Sequence, residues 1–182
     1  TQWLNSSSVN IILGSGDTAA TNHSGTLTND FILYVTADGR ITPNGTGTGV
    51  VNNAAGAVMA VYAGTGETDI DATLNNGGAI QVQSGVLSLN GGGTSNASNI
   101  FAAAGTVLQF GTTATGSSGS FSFTNGLYTV PATRVIGGTV NFAGAAAVGF
   151  SSSLAISDGG TVQLGGLAAG VGTLSQNNGE LA

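Results

Sequence analysis

The sequence predicts an all-β chain wound as a parallel β-solenoid of about eight rungs. First, a phrase of glycine, small residue, apolar, polar, apolar returns along the chain at steps of roughly 19 to 25 residues. Second, each step holds two or three short alternating runs bounded by Gly and Asn. No window of about 11 residues keeps an i, i+3, i+4, i+7 apolar stripe free of glycine. Third, only 5% of residues are charged, while 41% are hydrophobic and 32 are glycine. Such a chain is too apolar for plain disorder and far too poor in charge for an ordinary globular surface. Ser, Thr, Asn and Gly must cover its outside.

The clearest copy is residues 78–93, GAIQVQSGVLSLNGGG. Alternation puts Ile80 and Val82 on one face and Gln81 on the other. Ser84-Gly85 separates this run from Leu87-Ser88-Leu89, and Asn90 with three glycines closes the unit, because these residues tolerate φ > 0.

Taken in order, Trp3-Leu4 and Val9-Asn10-Ile11-Ile12-Leu13 come first and stop at Gly14-Ser15-Gly16-Asp17. Thr26-Leu27-Thr28 and the apolar Phe31-Ile32-Leu33-Tyr34-Val35 follow. Pro43-Asn44-Gly45 opens a loop. Gly56-Ala57-Val58 then aligns with Gly78-Ala79-Ile80 at a step of about 22 residues. Later copies begin at Gly105, Gly119, Gly138 and Gly160. The rungs are expected to stack through Ile11, Leu33, Val58, Ile80, Ile100, Phe121, Val140 and Val162.

At about 4.8 Å per rung the rod would be roughly 40 Å long. Asn52, Asn53, Asn75 and Asn76 are placed to form amide ladders between rungs. One rung cannot fold alone; burying four to six apolar side chains per rung, at roughly 1.5–3 kcal/mol each, offsets its ordering only when rungs stack. The competing architecture, an antiparallel sandwich, gives no reason for copies to recur one rung apart. Residues 1–182 therefore read as a single solenoid domain. Opening on Thr1-Gln2-Trp3 and closing on Gly179-Glu180-Leu181-Ala182, it reads as a segment of a longer chain or fibre.

Composition removes several function classes. The chain has no Cys, which excludes disulfides, thiol catalysis and Cys-ligated metals. Two Lys+Arg against eight Asp+Glu give a net charge of −6. That is the wrong sign for nucleic acid or an anionic membrane surface. No apolar run reaches the roughly 18 residues that membrane insertion as a helix requires.

Residues 74–111, LNNGGAIQVQSGVLSLNGGGTSNASNIFAAAGTVLQFG, resemble the β-strand repeats of large bacterial secreted and surface proteins, the autotransporter-passenger and filamentous-haemagglutinin-like adhesins. Gly64-Thr65-Gly66-Glu67-Thr68-Asp69-Ile70 is in the same style. The close likeness covers about a third of the chain, and residues 138–166 match loosely. The resemblance implies a right-handed parallel β-helix serving as a stalk or adhesive shaft, an extracellular or cell-surface location, and no catalytic residues.

Candidate sites are few. Glu67, Asp69 and Asp71 alternate, so a strand would present all three carboxylates on one side. Close carboxylates repel unless protons or a cation intervene, and oxygen-rich clusters suit calcium; the competing account is a solvated acidic edge. No cofactor is required by anything else in the chain. Tyr62 and Tyr128, with Trp3 and Phe150, would stack on sugar rings if exposed, although strand aromatics belong more often to the core. Gly14-Ser15-Gly16-Asp17-Thr18-Ala19 matches a dinucleotide fingerprint, but no helical stripe follows to receive a pyrophosphate. His23 lies in a polar loop without a nucleophile elbow. A polysaccharide-cleaving β-helix site needs a basic residue beside its carboxylates. Arg40 and Arg134 fall four rungs, or about 19 Å, apart and cannot share one; Arg40 is expected to pair with Asp38. One T-x-T triplet, Thr26-Leu27-Thr28, is too little for an ice-binding face.

The expected function is therefore a structural solenoid segment of a secreted or surface fibre or adhesin. It is expected to stack on adjoining repeats or head-to-tail on another copy. A carbohydrate-binding module is the alternative, and a polysaccharide-active enzyme the more distant one.

Overall fold

A computed structural model describes residues 3–5, 10–13, 24–35, 39–43, 48–96, 99–112, 119–167 and 169–182. Among them every regular element is a strand and every strand pairing is parallel. The chain is a β-solenoid with three strand stacks, each eight strands deep, which makes about seven steps along the axis.

The first stack runs through Trp3–Asn5, Ile32–Val35, the opening of Val58–Ile70, the opening of Ala79–Leu89, Ile100–Ala102, Leu127–Thr129 and the openings of Ala147–Ser157 and Ala169–Asn177. The second holds Asn10–Leu13, Arg40–Pro43, Val107–Phe110, Ala132–Ile136 and the far halves of the same four long strands. The third holds Gly25–Asn29, Gly49–Asn53, Thr73–Asn76, Gly93–Ser95, Phe121–Phe123, Thr139–Asn141, Thr161–Gln163 and Glu180–Leu181.

The four long strands bend from the first stack into the second. At one bend Gly85 has φ 73°, and a Cβ there would lie 2.6 Å from the Gly66 carbonyl oxygen and 2.7 Å from the Ala63 methyl. Ser84-Gly85 is thus the corner its sequence predicts, and only glycine fits it.

Inward positions form columns parallel to the axis. Leu33, Met59, Ile80, Ile100, Tyr128 and Val148 stack in the first sheet. Ile41, Ile70, Leu89, Phe110, Val135 and Ile156 stack in the second. All are buried in one continuous core.

The sequence-level ladder needs two corrections. Its members belong to different stacks: Ile11 to the second, Leu33, Ile80 and Ile100 to the first, and Phe121, Val140 and Val162 to the third. Every stack uses the same apolar-polar-apolar phrase, so the phrase alone does not say which face of the coil it occupies. Val58 is also one position out. Met59 pairs with Ile80 and is buried, while Val58 pairs with Ala79 and faces outward. With a period of two, a slip of one residue exchanges inside for outside.

Steps in the third stack range from 19 to 28 residues. The longest runs from Gly93 to Phe121.

The third stack also carries an amide ladder. Asn29 Nδ2 donates to Asn53 Oδ1 at 2.7 Å, Asn53 Nδ2 to Asn76 Oδ1 at 2.7 Å, and Asn76 Nδ2 to Ser95 Oγ at 3.1 Å, all buried. The second N–H of Asn29 reaches the Val58 carbonyl and that of Asn53 the Ala79 carbonyl. Outside, Asn75 Nδ2 donates to Asn52 Oδ1 at 3.0 Å. The four asparagines expected to ladder do so as an inner and an outer pair. Beyond Ser95 the inner column becomes aromatic. Phe123 is its register partner and stacks on Phe142 at 4.7 Å and 18°. Phe110, Phe121, Tyr128 and Phe150 complete the cluster.

Candidate functional site

Three outer faces of different chemistry follow from the three stacks. The third is polar: Thr28, Asn52, Asn75, Thr94, Ser122, Asn141 and Gln163 form one uncharged column, and beside it Thr139 and Thr161 lead to the exposed Glu180 in the last strand.

The second stack carries most of the charge of the described strands. Arg40, Asp69, Ser88, Gln109 and Arg134 occupy one outward column in successive rungs. Arg40 and Arg134 are thus four rungs apart, about 19 Å, as the sequence predicts. Arg40 pairs with Asp71 through its Nε; Asp38, the partner expected from sequence, lies outside the described residues. The register explains the pairing, because it sets Arg40 beside Asp69 and brings Asp71 within reach. The Asp71 hydrogen bond and charge raise the Arg40 pKa further.

Glu67, Asp69 and Asp71 do share one face, and protein donors meet all three. Ser88 Oγ donates to Glu67. Asn90 Nδ2 donates to Asp69 Oδ1 at 3.1 Å and to Asp71 Oδ1 at 2.9 Å. Burial raises the Asp69 pKa above the usual carboxylate value, and Glu67 and Asp71 add to the rise against the Asn90 hydrogen bond. Among the described residues, no group of three or more His, Cys, Asp or Glu side chains is arranged to hold a metal ion. The acidic face is a mesh of carboxylates, amides, a hydroxyl and one guanidinium.

The first stack is uncharged: no Asp, Glu, Lys or Arg occurs in its described strands. Its outer face carries the aromatic residues. Tyr62 is 41% exposed, and its ring lies 6.3 Å from that of Tyr34, tilted by 38°. Tyr128, expected beside Tyr62 as a sugar-stacking residue, is corrected to the core. It is 1% exposed and its hydroxyl bonds Thr133 Oγ1 at 2.7 Å. Burial pushes its phenol far above the ordinary tyrosine value. The cause is parity, since Tyr128 pairs in register with the inward Ile100 and Val148. Phe150 is buried as well. His23 and residues 14–19 lie outside the described residues.

Sequence reasoning missed three participants. Asn29 joins the ladder, and Leu27-Thr28-Asn29 does parallel Val51-Asn52-Asn53 and Leu74-Asn75-Asn76. Asn90 reads as a turn residue but bridges two carboxylates. Phe101, 39% exposed, faces outward from the first stack. Set against known protein families, curated proteins and solved structures, the chain matches none.

Proposed function

We propose that the chain is a structural shaft segment of a secreted or cell-surface bacterial fibre or adhesin, without catalytic activity, and that the rung at residues 169–181 receives a further rung, from another copy stacked head-to-tail or from adjoining repeats of the same polypeptide. The observation that carries this reading is Leu174. Its column runs Thr68, Leu87, Leu108, Thr133, Leu154, Leu174, and the first five are fully buried. Leu174 is 44% exposed. Among the described residues the strands of that rung, Ala169–Asn177 and Glu180–Leu181, pair only with the rung before. An open parallel edge with an apolar inward row templates a further strand. A head-to-tail contact of this kind does not close on itself and builds filaments. Adjoining repeats of the same polypeptide would meet the edge by the same chemistry. The polar outside, with stacked hydroxyls and amides and a charged second face, suits a rod exposed to solvent.

Negative-stain electron microscopy at rising concentration, with and without calcium, tests this. Rods that lengthen with concentration, and that stay single in Leu174→Lys, are expected. Single rods at every concentration would overturn self-stacking. Lengthening only with calcium would move the cause to Glu67, Asp69 and Asp71.

A further inference from the structure

The outer face of the first stack has a ridge and a groove on one line. The register column Tyr34, Ala60, Gln81, Phe101, Thr129, Gly149, Gly170 runs along the axis. Tyr62 stands beside Tyr34 at its upper part. The exposed Gln83 reaches Gln81, with Nε2 to Oε1 at 3.4 Å. From Tyr34 to Phe101 is three rungs, about 14 Å. Below Phe101 the side chains shrink to Thr and then to hydrogen. An open groove of ≈ 410 Å³ lies there, lined by Gly149, Gly170 and Val171 among others.

We propose that this strip binds an uncharged linear polysaccharide, whose rings stack on Tyr34, Tyr62 and Phe101 and whose chain continues into the glycine groove. The negative faces of the aromatic rings attract the slightly positive C–H faces of sugars. Gln81 and Gln83 sit between the aromatics with both donors and acceptors for hydroxyl groups. The absence of charge on the described strands of this face suits a neutral ligand, since an acidic polymer would meet no cation and a chain of net charge −6. A protein partner is less well matched, because protein interfaces favour arginine and this face offers none. The groove lies within the volume range of ligand sites.

Affinity electrophoresis in native gels tests it, using mixed-linkage β-glucan, galactomannan and xyloglucan as neutral polymers and polygalacturonate as the acidic one. Retardation by at least one neutral polymer and none by polygalacturonate is expected. Tyr62→Ala and Phe101→Ala should each weaken it roughly tenfold, and Thr28→Ala, on the third face, should leave it unchanged. Gly149→Leu should weaken it by filling the groove. A Cβ at Gly149 meets nothing closer than 3.9 Å, so this variant keeps the fold even if an aromatic variant does not. Unretarded migration in all three neutral polymers would overturn the proposal. So would equal retardation of Gly149→Leu and the wild-type chain. Loss of a dimer in sedimentation of Tyr62→Ala, with glycan retardation intact, would assign the strip to a second copy instead.

Discussion

The third stack fills one inward column in two ways. Through its first four rungs the column is Asn29, Asn53, Asn76 and Ser95, joined by directional hydrogen bonds. From the fifth rung it is Phe123, stacked on Phe142 within a cluster of rings. The backbone pairing is parallel in both. An amide column works only if each rung supplies the partner of the next, because a buried donor without an acceptor costs its full desolvation. An aromatic column has no such bookkeeping and is held by area and shape. Ser95 is the junction: its hydroxyl accepts the last amide N–H and is small enough to precede a ring. The lesson is that one register position tolerates either chemistry, provided the change occurs where the ladder can be terminated.

The largest expected effect is on the aromatic side. Phe142→Ala removes a fully buried ring, and urea unfolding should show a loss of about 3–5 kcal/mol. Phe142→Leu should cost much less, since the column asks only for apolar volume.

Asn53→Leu is the counterpart and should not be tolerated in that way. It strips Asn29 of its acceptor and Asn76 of its donor, and the same measurement should show roughly 2–3 kcal/mol lost. Replacing Asn29, Asn53 and Asn76 together by leucine should cost less than three times the single change, because no amide of the ladder is then left unpaired. If Asn53→Leu and Phe142→Leu prove equally mild, the contrast between the two columns fails.

Ser95→Ala tests the junction alone. Losing the acceptor of Asn76 Nδ2 should lower stability by about 0.5–1.5 kcal/mol, visible as a lower melting temperature.

The smallest effect concerns pH and belongs to the second stack, which carries the three carboxylates at the level of the amide rungs. Folding raises the Asp69 pKa. Its contribution is therefore present below the ordinary carboxylate pKa and is lost as pH rises through the raised value. Asp69→Asn should stabilise the chain slightly at neutral pH, with the difference vanishing in acid and shrinking in salt. A difference that grows in acid would reverse the sign.

Much of this was legible in the residues. Repeats of Gly-small-apolar-polar-apolar marked the rungs, and Ser84-Gly85 marked a corner. Asn52-Asn53 and Asn75-Asn76 marked the ladders. The acidic face was legible from the alternation of Glu67, Asp69 and Asp71, but Asn90 and Arg40 were not, because both reach it from other rungs. Tyr62 and Tyr128 looked alike as sequence and ended on opposite sides of the wall.

Local chemistry, then, determined the strand content, the rung length and the alternation, since period-two patterning and the turn chemistry of Gly and Asn act within a few residues. Tertiary structure decided which stack each phrase joins, that Met59 rather than Val58 faces inward, that Tyr128 is core, and where amides yield to rings. Those choices rest on register between strands about 20 residues apart, which the summed pairing and packing of neighbouring rungs select and no single rung contains.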